Sequence, residues 1–172
     1  MHTKVVHRTA RVLSDRFGLA ALRFNFRGVG ASQGQHDGGR GEVEDLLAAA
    51  RFVRSEFPTG PFVLSGFSFG SICALSATPL IRPELLLLIG LPLDRFDPEL
   101  AKRAAGVAVV WMHGERDEFG GAERARPIAE RFGWTLQVIE GADHFFAGKL
   151  DFFEETLVRE LDPRLTGSPA AP

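Results

Sequence analysis

The 172-residue chain contains one cysteine, Cys73, and no tyrosine. A single cysteine cannot form an internal disulfide, and it excludes a zinc site built on several cysteines. Disulfide-stapled secreted domains are therefore excluded, and Cys73 fits a small core position. Because no secretory segment is recognisable either, we expect a cytoplasmic protein.

Long apolar runs and an excess of one charge are also missing. The longest apolar run, residues 85–89, falls far short of the roughly 20 residues that a membrane-spanning helix needs. The net charge is −2, and no basic run is interleaved with aromatic residues. We therefore expect neither a membrane nor a nucleic acid as partner, but a small-molecule substrate. The oligomeric state stays open, a homo-oligomer included.

What the chain does have is a regular alternation of short apolar runs with longer amphipathic segments. The apolar runs predict five strands, over residues 19–26, 61–65, 85–89, 107–113 and 134–139. The amphipathic segments predict helices over residues 2–17, 41–57, 69–77, 122–132 and 149–161. Such alternation is typical of a doubly wound α/β fold, a mostly parallel sheet with helices on both faces. We expect one domain over residues 1–161 and a flexible tail over 162–172, which is rich in Pro, Gly and Ala.

The segment Gly66-Phe67-Ser68-Phe69-Gly70 lies directly between a predicted strand and a predicted helix. A G-x-S-x-G sequence in that position is the form of a nucleophile elbow, a sharp turn that holds a serine hydroxyl clear of the sheet. So tight a turn leaves no room for a Cβ atom at the flanking positions, which accounts for both glycines. Ser68 is therefore the candidate nucleophile.

Two further polar residues follow predicted strands. Asp117 comes after the fourth strand and His144 after the fifth. Sites in open parallel sheets form at the carboxyl ends of the strands, where these residues and Ser68 would meet. Serine is a weak nucleophile that needs a base within hydrogen-bond reach, and the base needs an acid to fix its tautomer. We predict Ser68, Asp117 and His144 as the catalytic set.

Other residues compete for these roles. Glu115 and Glu118 flank Asp117 and are the real rivals for the acid. Asp143 adjoins His144 but should point elsewhere, because neighbouring loop residues rarely bond side chain to side chain. His113 lies at the end of its strand, where we expect it to pack or to bond locally.

Four segments in this order resemble the α/β-hydrolase superfamily. They are residues 23–34 (RFNFRGVGASQG), the elbow, residues 113–117 (HGERD) and residues 141–146 (GADHFF). They are similar in particular to small lidless bacterial α/β hydrolases, relatives of dienelactone hydrolase and of acyl-peptidase-like enzymes. The resemblance covers residues 1–161 and implies a sheet of the α/β-hydrolase type without a lid domain.

The resemblance also implies roles. Ser68 would be the nucleophile, His144 the general base and acid, and Asp117 its orienting partner. The backbone N–H of Phe69 would be one donor of the oxyanion hole. No metal or organic cofactor is implied.

The sequence departs from this family at its beginning. Members start with further strands and with a loop that supplies the second oxyanion N–H, whereas residues 1–6 here already begin the first predicted helix. One of those further strands would lie between the strands predicted at 19–26 and 61–65. We therefore expect an N-terminally incomplete domain, with unpaired edges on both of these strands.

Phenylalanines cluster beside the predicted catalytic positions, namely Phe67, Phe69, Phe119, Phe145 and Phe146. They would give the cleft apolar walls, and we predict Phe67, Leu91 and Phe145 as substrate-binding. The predicted activity is hydrolysis of small or short-acyl carboxylic esters through an acyl-enzyme. Peptide, thioester and lactone substrates use the same machinery and stay open. Because the oxyanion loop is missing, the alternative is a non-catalytic α/β-hydrolase-like binding or interaction protein.

Overall fold

A computed structural model describes residues 3–167. Its strands are β1 (Val63–Phe67), β2 (Leu85–Ile89), β3 (Ala108–Gly114) and β4 (Thr135–Ile139). Its α-helices are α1 (Lys4–Phe17), α2 (Arg40–Glu56), α3 (Phe69–Ile81), α4 (Ala122–Phe132) and α5 (Leu150–Leu165), and a 3₁₀ helix spans Pro98–Ala104. The strands form one parallel sheet in the order β1-β2-β3-β4. The carboxyl ends of all four strands therefore meet at one edge.

The core is split by the sheet into two layers. Along β2, Leu86 and Leu88 pack with residues of α2, α3 and α4. The intervening Leu85, Leu87 and Ile89 pack on the opposite face with residues of α1 and α5. Successive side chains of a strand point to opposite faces, so a strand covered on both faces is apolar at every position. The prediction of a parallel sheet with helices on both faces is confirmed.

Residues 19–26, predicted as the first strand, are not a strand. They make no ladder hydrogen bonds, and over residues 3–167 the sheet ends at β1. A strand is stable only where a neighbouring strand pairs with its backbone N–H and C=O groups, and no strand of the described residues lies beside this segment. Its apolar side chains are accordingly exposed, Leu22 by 45% and Phe24 by 41%. The described sheet has four strands, not the five predicted.

The predicted helices are all present, and two of them run further than expected. Helix α3 continues through Pro79 to Ile81, which is buried. Helix α5 continues to Leu165, which packs against the core, so the first residues of the predicted tail are helical. Residues 1–2 and 168–172 lie outside the described range. No helix within that range is long and apolar enough to span a bilayer.

Candidate active site

Ser68 sits in a sharp turn between β1 and α3. Its backbone adopts φ 55° and ψ −124°, a conformation that is strained for a residue with a side chain and persists only where surrounding contacts enforce it. Ser71 supplies such contacts, because its buried hydroxyl lies 2.7 Å from the Gly66 carbonyl oxygen and 3.0 Å from that of Ile89. The turn is thereby tied to the end of β2. The geometry is that of a nucleophile elbow, as the sequence predicts.

Only one of the two elbow glycines is required by space. A Cβ atom on Gly66 would lie 2.2 Å from the Gly70 carbonyl oxygen, a distance that no real side chain reaches. A Cβ atom on Gly70 would meet nothing closer than Cε2 of Phe26, at 4.0 Å. The prediction that both flanking positions exclude a side chain is therefore right for Gly66 and wrong for Gly70.

The three residues predicted as a catalytic set form a continuous series of hydrogen bonds, with His144 between Ser68 and Asp117. His144 Nε2 is 2.9 Å from the Ser68 hydroxyl, and His144 Nδ1 is 2.8 Å from Oδ2 of Asp117. Because a carboxylate only accepts, Nδ1 carries the proton and Nε2 is left to accept from the serine. Asp117 and His144 are 4% and 1% exposed. Coulomb attraction between them is therefore weakly screened.

The rival acids have other partners. Glu115 accepts a hydrogen bond from the Gly141 N–H at 2.8 Å, and Glu118 accepts one from the His144 N–H at 3.1 Å. Asp143 turns away from the imidazole ring, as expected, and accepts from the N–H groups of residues 145 and 147. These carboxylates hold the backbone of the histidine loop. Sequence reasoning considered Glu115 and Glu118 only as rivals for the acid, and it missed their role in holding this backbone.

Gly90, directly after β2, is a second feature that sequence reasoning missed. It has φ 53°, and a Cβ atom there would lie 3.2 Å from His144 Cε1 and 3.2 Å from a ring carbon of Phe67. The imidazole ring thus lies against bare backbone. The signal available in the sequence was a glycine directly after β2, the strand that pairs with β1.

Aromatic rings surround the imidazole. The ring centroids of Phe119, Phe67 and Phe145 lie 4.7, 5.0 and 5.2 Å from that of His144. Phe145 is 46% exposed, so its ring reaches solvent at the mouth of the site. Phe67 and Phe145 therefore stand where the sequence places them, beside the candidate base.

Two predicted wall residues lie elsewhere. Leu91, predicted as substrate-binding, is 0% exposed and belongs to the core layer beneath α3. Phe146 is also 0% exposed and packs against Phe153, with ring centroids 4.9 Å apart. A side chain with no exposed surface cannot contact a substrate in this conformation. The predictions for Leu91 and Phe146 are wrong.

The backbone N–H of Phe69 lies in the first turn of α3. N–H groups there have no acceptor within the helix and carry the positive end of its dipole. They are thus available to an oxyanion next to Ser68. The Phe69 ring packs edge-on against Phe26 and His36, at centroid distances of 6.1 and 5.2 Å.

A surface groove of about 770 Å³ lies away from Ser68. It is lined by residues such as Arg82, Arg103 and Val107, which precede β2 and β3. It therefore lies at the amino ends of the strands, opposite Ser68. Within residues 3–167 no three His, Cys, Asp or Glu side chains are grouped closely enough to hold a metal ion.

The chain is similar to α/β serine hydrolases of known structure. It is 35% identical to an α/β serine hydrolase homologue from Coxiella burnetii, with a TM-score of 0.84 over 94% of this chain and 77% of that one. It is 34% identical to a lidless α/β serine hydrolase from Xanthomonas campestris, with a TM-score of 0.85 over 100% of this chain and 77% of that one. The chain belongs to the α/β serine hydrolase family.

A further relative of this α/β hydrolase is an uncharacterized protein of Rickettsia prowazekii, which is 31% identical over 91% of this chain and 70% of its own length. No family model matches the sequence. The resemblance on which the α/β-hydrolase fold was predicted is therefore confirmed by whole-chain similarity. The two structural relatives share about a third of their residues with it, which is enough to assign the family but not a substrate.

Proposed function

We propose that this α/β hydrolase is a serine carboxylesterase that cleaves small or short-acyl esters through an acyl-enzyme. The observation that carries the proposal is the hydrogen-bonded chain from Ser68 through His144 to Asp117, with contacts of 2.9 and 2.8 Å. A serine, a base and a buried acid in this geometry are the parts that acyl transfer needs. The single buried Cys73 fits a reducing compartment such as the cytoplasm, which we propose as its location.

Each step has a named residue. The Ser68 hydroxyl attacks the ester carbonyl carbon while His144 Nε2 takes its proton, and Asp117 stabilises the imidazolium that forms. Collapse of the tetrahedral intermediate breaks the bond to the alcohol, which leaves with the proton from His144. Water then attacks the acyl-enzyme by the same route, releasing the acid and restoring Ser68.

The developing negative charge has one assigned donor, the Phe69 N–H at the start of α3. Removing one donor from an oxyanion hole typically costs about 10²–10³ in kcat. If Phe69 acts alone, turnover will therefore be slow, and activated esters with good leaving groups are the substrates on which to look for it.

The surroundings of the site support a small apolar substrate. Phe67, Phe119 and Phe145 present rings rather than charges to the space around His144. The Xanthomonas relative is described as lacking a lid, and a cleft without a lid has little surface with which to enclose a long acyl chain. We therefore expect short acyl groups to be preferred.

Intact-mass labelling with a fluorophosphonate tests the proposal on the purified chain. The parent should gain the mass of one probe less HF, because fluoride leaves as the serine oxygen bonds to phosphorus, and Ser68→Ala should gain none. Ser76→Ala is the matched control, because Ser76 lies on α3 and its hydroxyl only donates a hydrogen bond to the Ile72 carbonyl. That variant should label like the parent. The same three proteins are then compared on nitrophenyl acetate, butyrate and decanoate.

Two outcomes would contradict the proposal. Ser68→Ala turning over nitrophenyl esters at the parent rate would show that Ser68 is not the nucleophile. A folded parent that neither labels nor hydrolyses any of the esters would favour the non-catalytic binding protein instead. Preference for decanoate over acetate would leave the mechanism standing and reject the short-acyl assignment.

A further inference from the structure

His113 is a buried polar residue near the end of a strand that is otherwise apolar. It is the next-to-last residue of β3, follows Val109, Val110, Trp111 and Met112, and is 0% exposed. Burying an imidazole costs free energy unless its polar atoms find partners. The acyl-transfer mechanism proposed above does not use this residue, so its place in the core needs another reason.

One ring nitrogen has a partner and the other does not. His113 Nε2 lies 2.7 Å from the carbonyl oxygen of Gly120; since a carbonyl only accepts, Nε2 carries the proton. Burial is the largest influence on the pKa of His113 and lowers it. The ring is therefore neutral, and Nδ1 holds a lone pair. Nδ1 has no hydrogen-bond partner among the described residues and lies 3.9 Å from Oδ2 of Asp117.

The bond to Gly120 closes the loop that carries the candidate acid. This loop, residues 115–121, runs from the end of β3 to the start of α4, so a β3 side chain that bonds Gly120 joins its two ends. Between them lie Asp117, which bonds the His144 ring, and Phe119, whose ring packs edge-on against it. Inside the loop, the Asp117 carboxylate also accepts from the Phe119 N–H at 2.9 Å.

We propose that His113 is a positioning residue, a neutral clamp that fixes the loop of Asp117 and thereby orients His144 toward Ser68. The inference rests on the proposed function. The ionisable groups whose charges act on the ring are Asp117, His144 and Glu123. A cation at His113 would attract the Asp117 carboxylate away from His144, so the clamp has to be uncharged. A neutral N–H donor holds the loop without competing for the acid.

The test is a pair of variants with side chains of nearly equal size. In His113→Gln the side-chain N–H₂ can still donate to the Gly120 carbonyl, whereas in His113→Met that acceptor is left buried and unpaired. Because misplacing a catalytic group by about 1 Å can cost on the order of 10²-fold in rate, we expect His113→Met to lose at least about tenfold in kcat. KM should stay within about twofold, since substrate-contacting groups are unchanged. His113→Gln should keep kcat within about threefold.

A purely structural role would give a different pattern. Both variants would then lose melting temperature while the folded fraction kept the parent kcat, a result that overturns the inference. If the parent takes up fluorophosphonate and His113→Met labels and turns over at the parent rate, the clamp is wrong while the proposed function stands. If the parent itself neither labels nor hydrolyses esters, the proposed function fails and the clamp fails with it.

A measurement on the parent keeps the inference testable if His113→Met does not fold. Long-range ¹⁵N–¹H spectra of the imidazoles report which nitrogen carries the proton. We expect a signal of a neutral Nε2–H histidine at pH 7 that is missing in His113→Gln. A cationic or Nδ1–H His113 at neutral pH would contradict the clamp.

Discussion

The two sides of Ser68 are built in different ways. On one side, the acid–base side, residues 115–121 and 141–146 follow the paired strands β3 and β4. The backbone of the first segment bonds the end of β4 and the second segment, through contacts of Glu115 N with the Ile139 carbonyl at 3.0 Å and of Arg116 N with the Ala142 carbonyl at 2.9 Å. A Cβ atom on Gly114 would lie 2.5 Å from the Asp143 carbonyl oxygen. Two neighbouring strands thus determine where Asp117 and His144 lie.

On the other side, the N-terminal side, residues 18–39 follow no paired strand. The segment is held by turns and by side chains of α2 rather than by a strand ladder: Arg27 forms a bidentate ion pair with Asp45, and the buried Glu42 carboxylate accepts from the Gly39 N–H at 2.8 Å. Leu22, Phe24 and Val29 are exposed. The comparison shows that loop residues are placed by the paired strands that they follow. A sequence motif without a paired strand before it, as in residues 18–39, does not place its residues in the same way. Four predictions bear on this difference.

The largest effect, a loss of kcat, is expected from a change to the candidate acid Asp117 on the acid–base side. Asp117→Asn should lower kcat by about 10³–10⁴, because the amide N–H₂ can donate to Nδ1 and so favour the wrong tautomer, and because an uncharged amide does not stabilise the imidazolium. Glu118→Gln is the matched control: Glu118 is exposed and bonds only the His144 backbone, a bond that the amide oxygen can keep. Its kcat should stay within about threefold. Steady-state rates on nitrophenyl acetate decide this, and equal losses in the two variants would mean that the acid is misassigned.

Stability should separate the two sides next. Phe146→Ala removes a ring that is 0% exposed, on the acid–base side, and should cost about 3–5 kcal/mol of unfolding free energy. Phe24→Ala removes a ring that is 41% exposed, on the N-terminal side, and should cost only about 0.5–1 kcal/mol, mainly its edge-on contact with Phe26. Urea unfolding of both variants measures the difference. Similar losses would show that residues 18–39 are packed as firmly as the histidine loop.

The elbow lies at the boundary between the two sides, and its two glycines face different neighbours. Gly66→Ala forces a Cβ atom against the Gly70 backbone and should cost about 1–3 kcal/mol or more. Gly70→Ala has its nearest neighbour in Phe26 of the N-terminal side, at 4.0 Å, and should stabilise α3 by up to about 1 kcal/mol. Melting temperatures of the two variants are the readout. A destabilised Gly70→Ala would mean that Phe26 approaches more closely than this.

The parts of the site that could be predicted from sequence are those that local patterns determine. Ser68 is marked by its glycines between a strand and a helix, and Asp117 and His144 by their places after apolar runs. Parallel order then brings the three together without further information. The helices follow from amphipathic spacing in the same way.

The failures involve information that is not local. Residues 19–26 carry a strand-like pattern, but a strand exists only beside a partner strand, and within residues 3–167 none lies next to this segment. Phe145 and Phe146 are neighbours of one residue type, yet one is 46% and the other 0% exposed. Phe146 has φ 54°, and this left-handed turn directs its ring into the core. Leu91 follows Gly90, whose positive φ likewise redirects the chain in a way that the sequence pattern does not predict.

The smallest effect concerns Cys73, which lies on α3 in the core layer that α2 shares. Burial raises the pKa of its thiol to about 12, and the side chain is 1% exposed. The native chain should therefore not react with iodoacetamide at pH 8, while the urea-unfolded chain should react fully. Because the unfolded thiol ionises at lower pH than the folded one, thiol ionisation should lower stability only as pH rises above the ordinary thiol value.

The labelling rate also reports on the N-terminal side, since residues 18–39 connect α1 to α2. Labelling much faster than global unfolding would show that α2 opens locally, and that the N-terminal side opens together with part of the core.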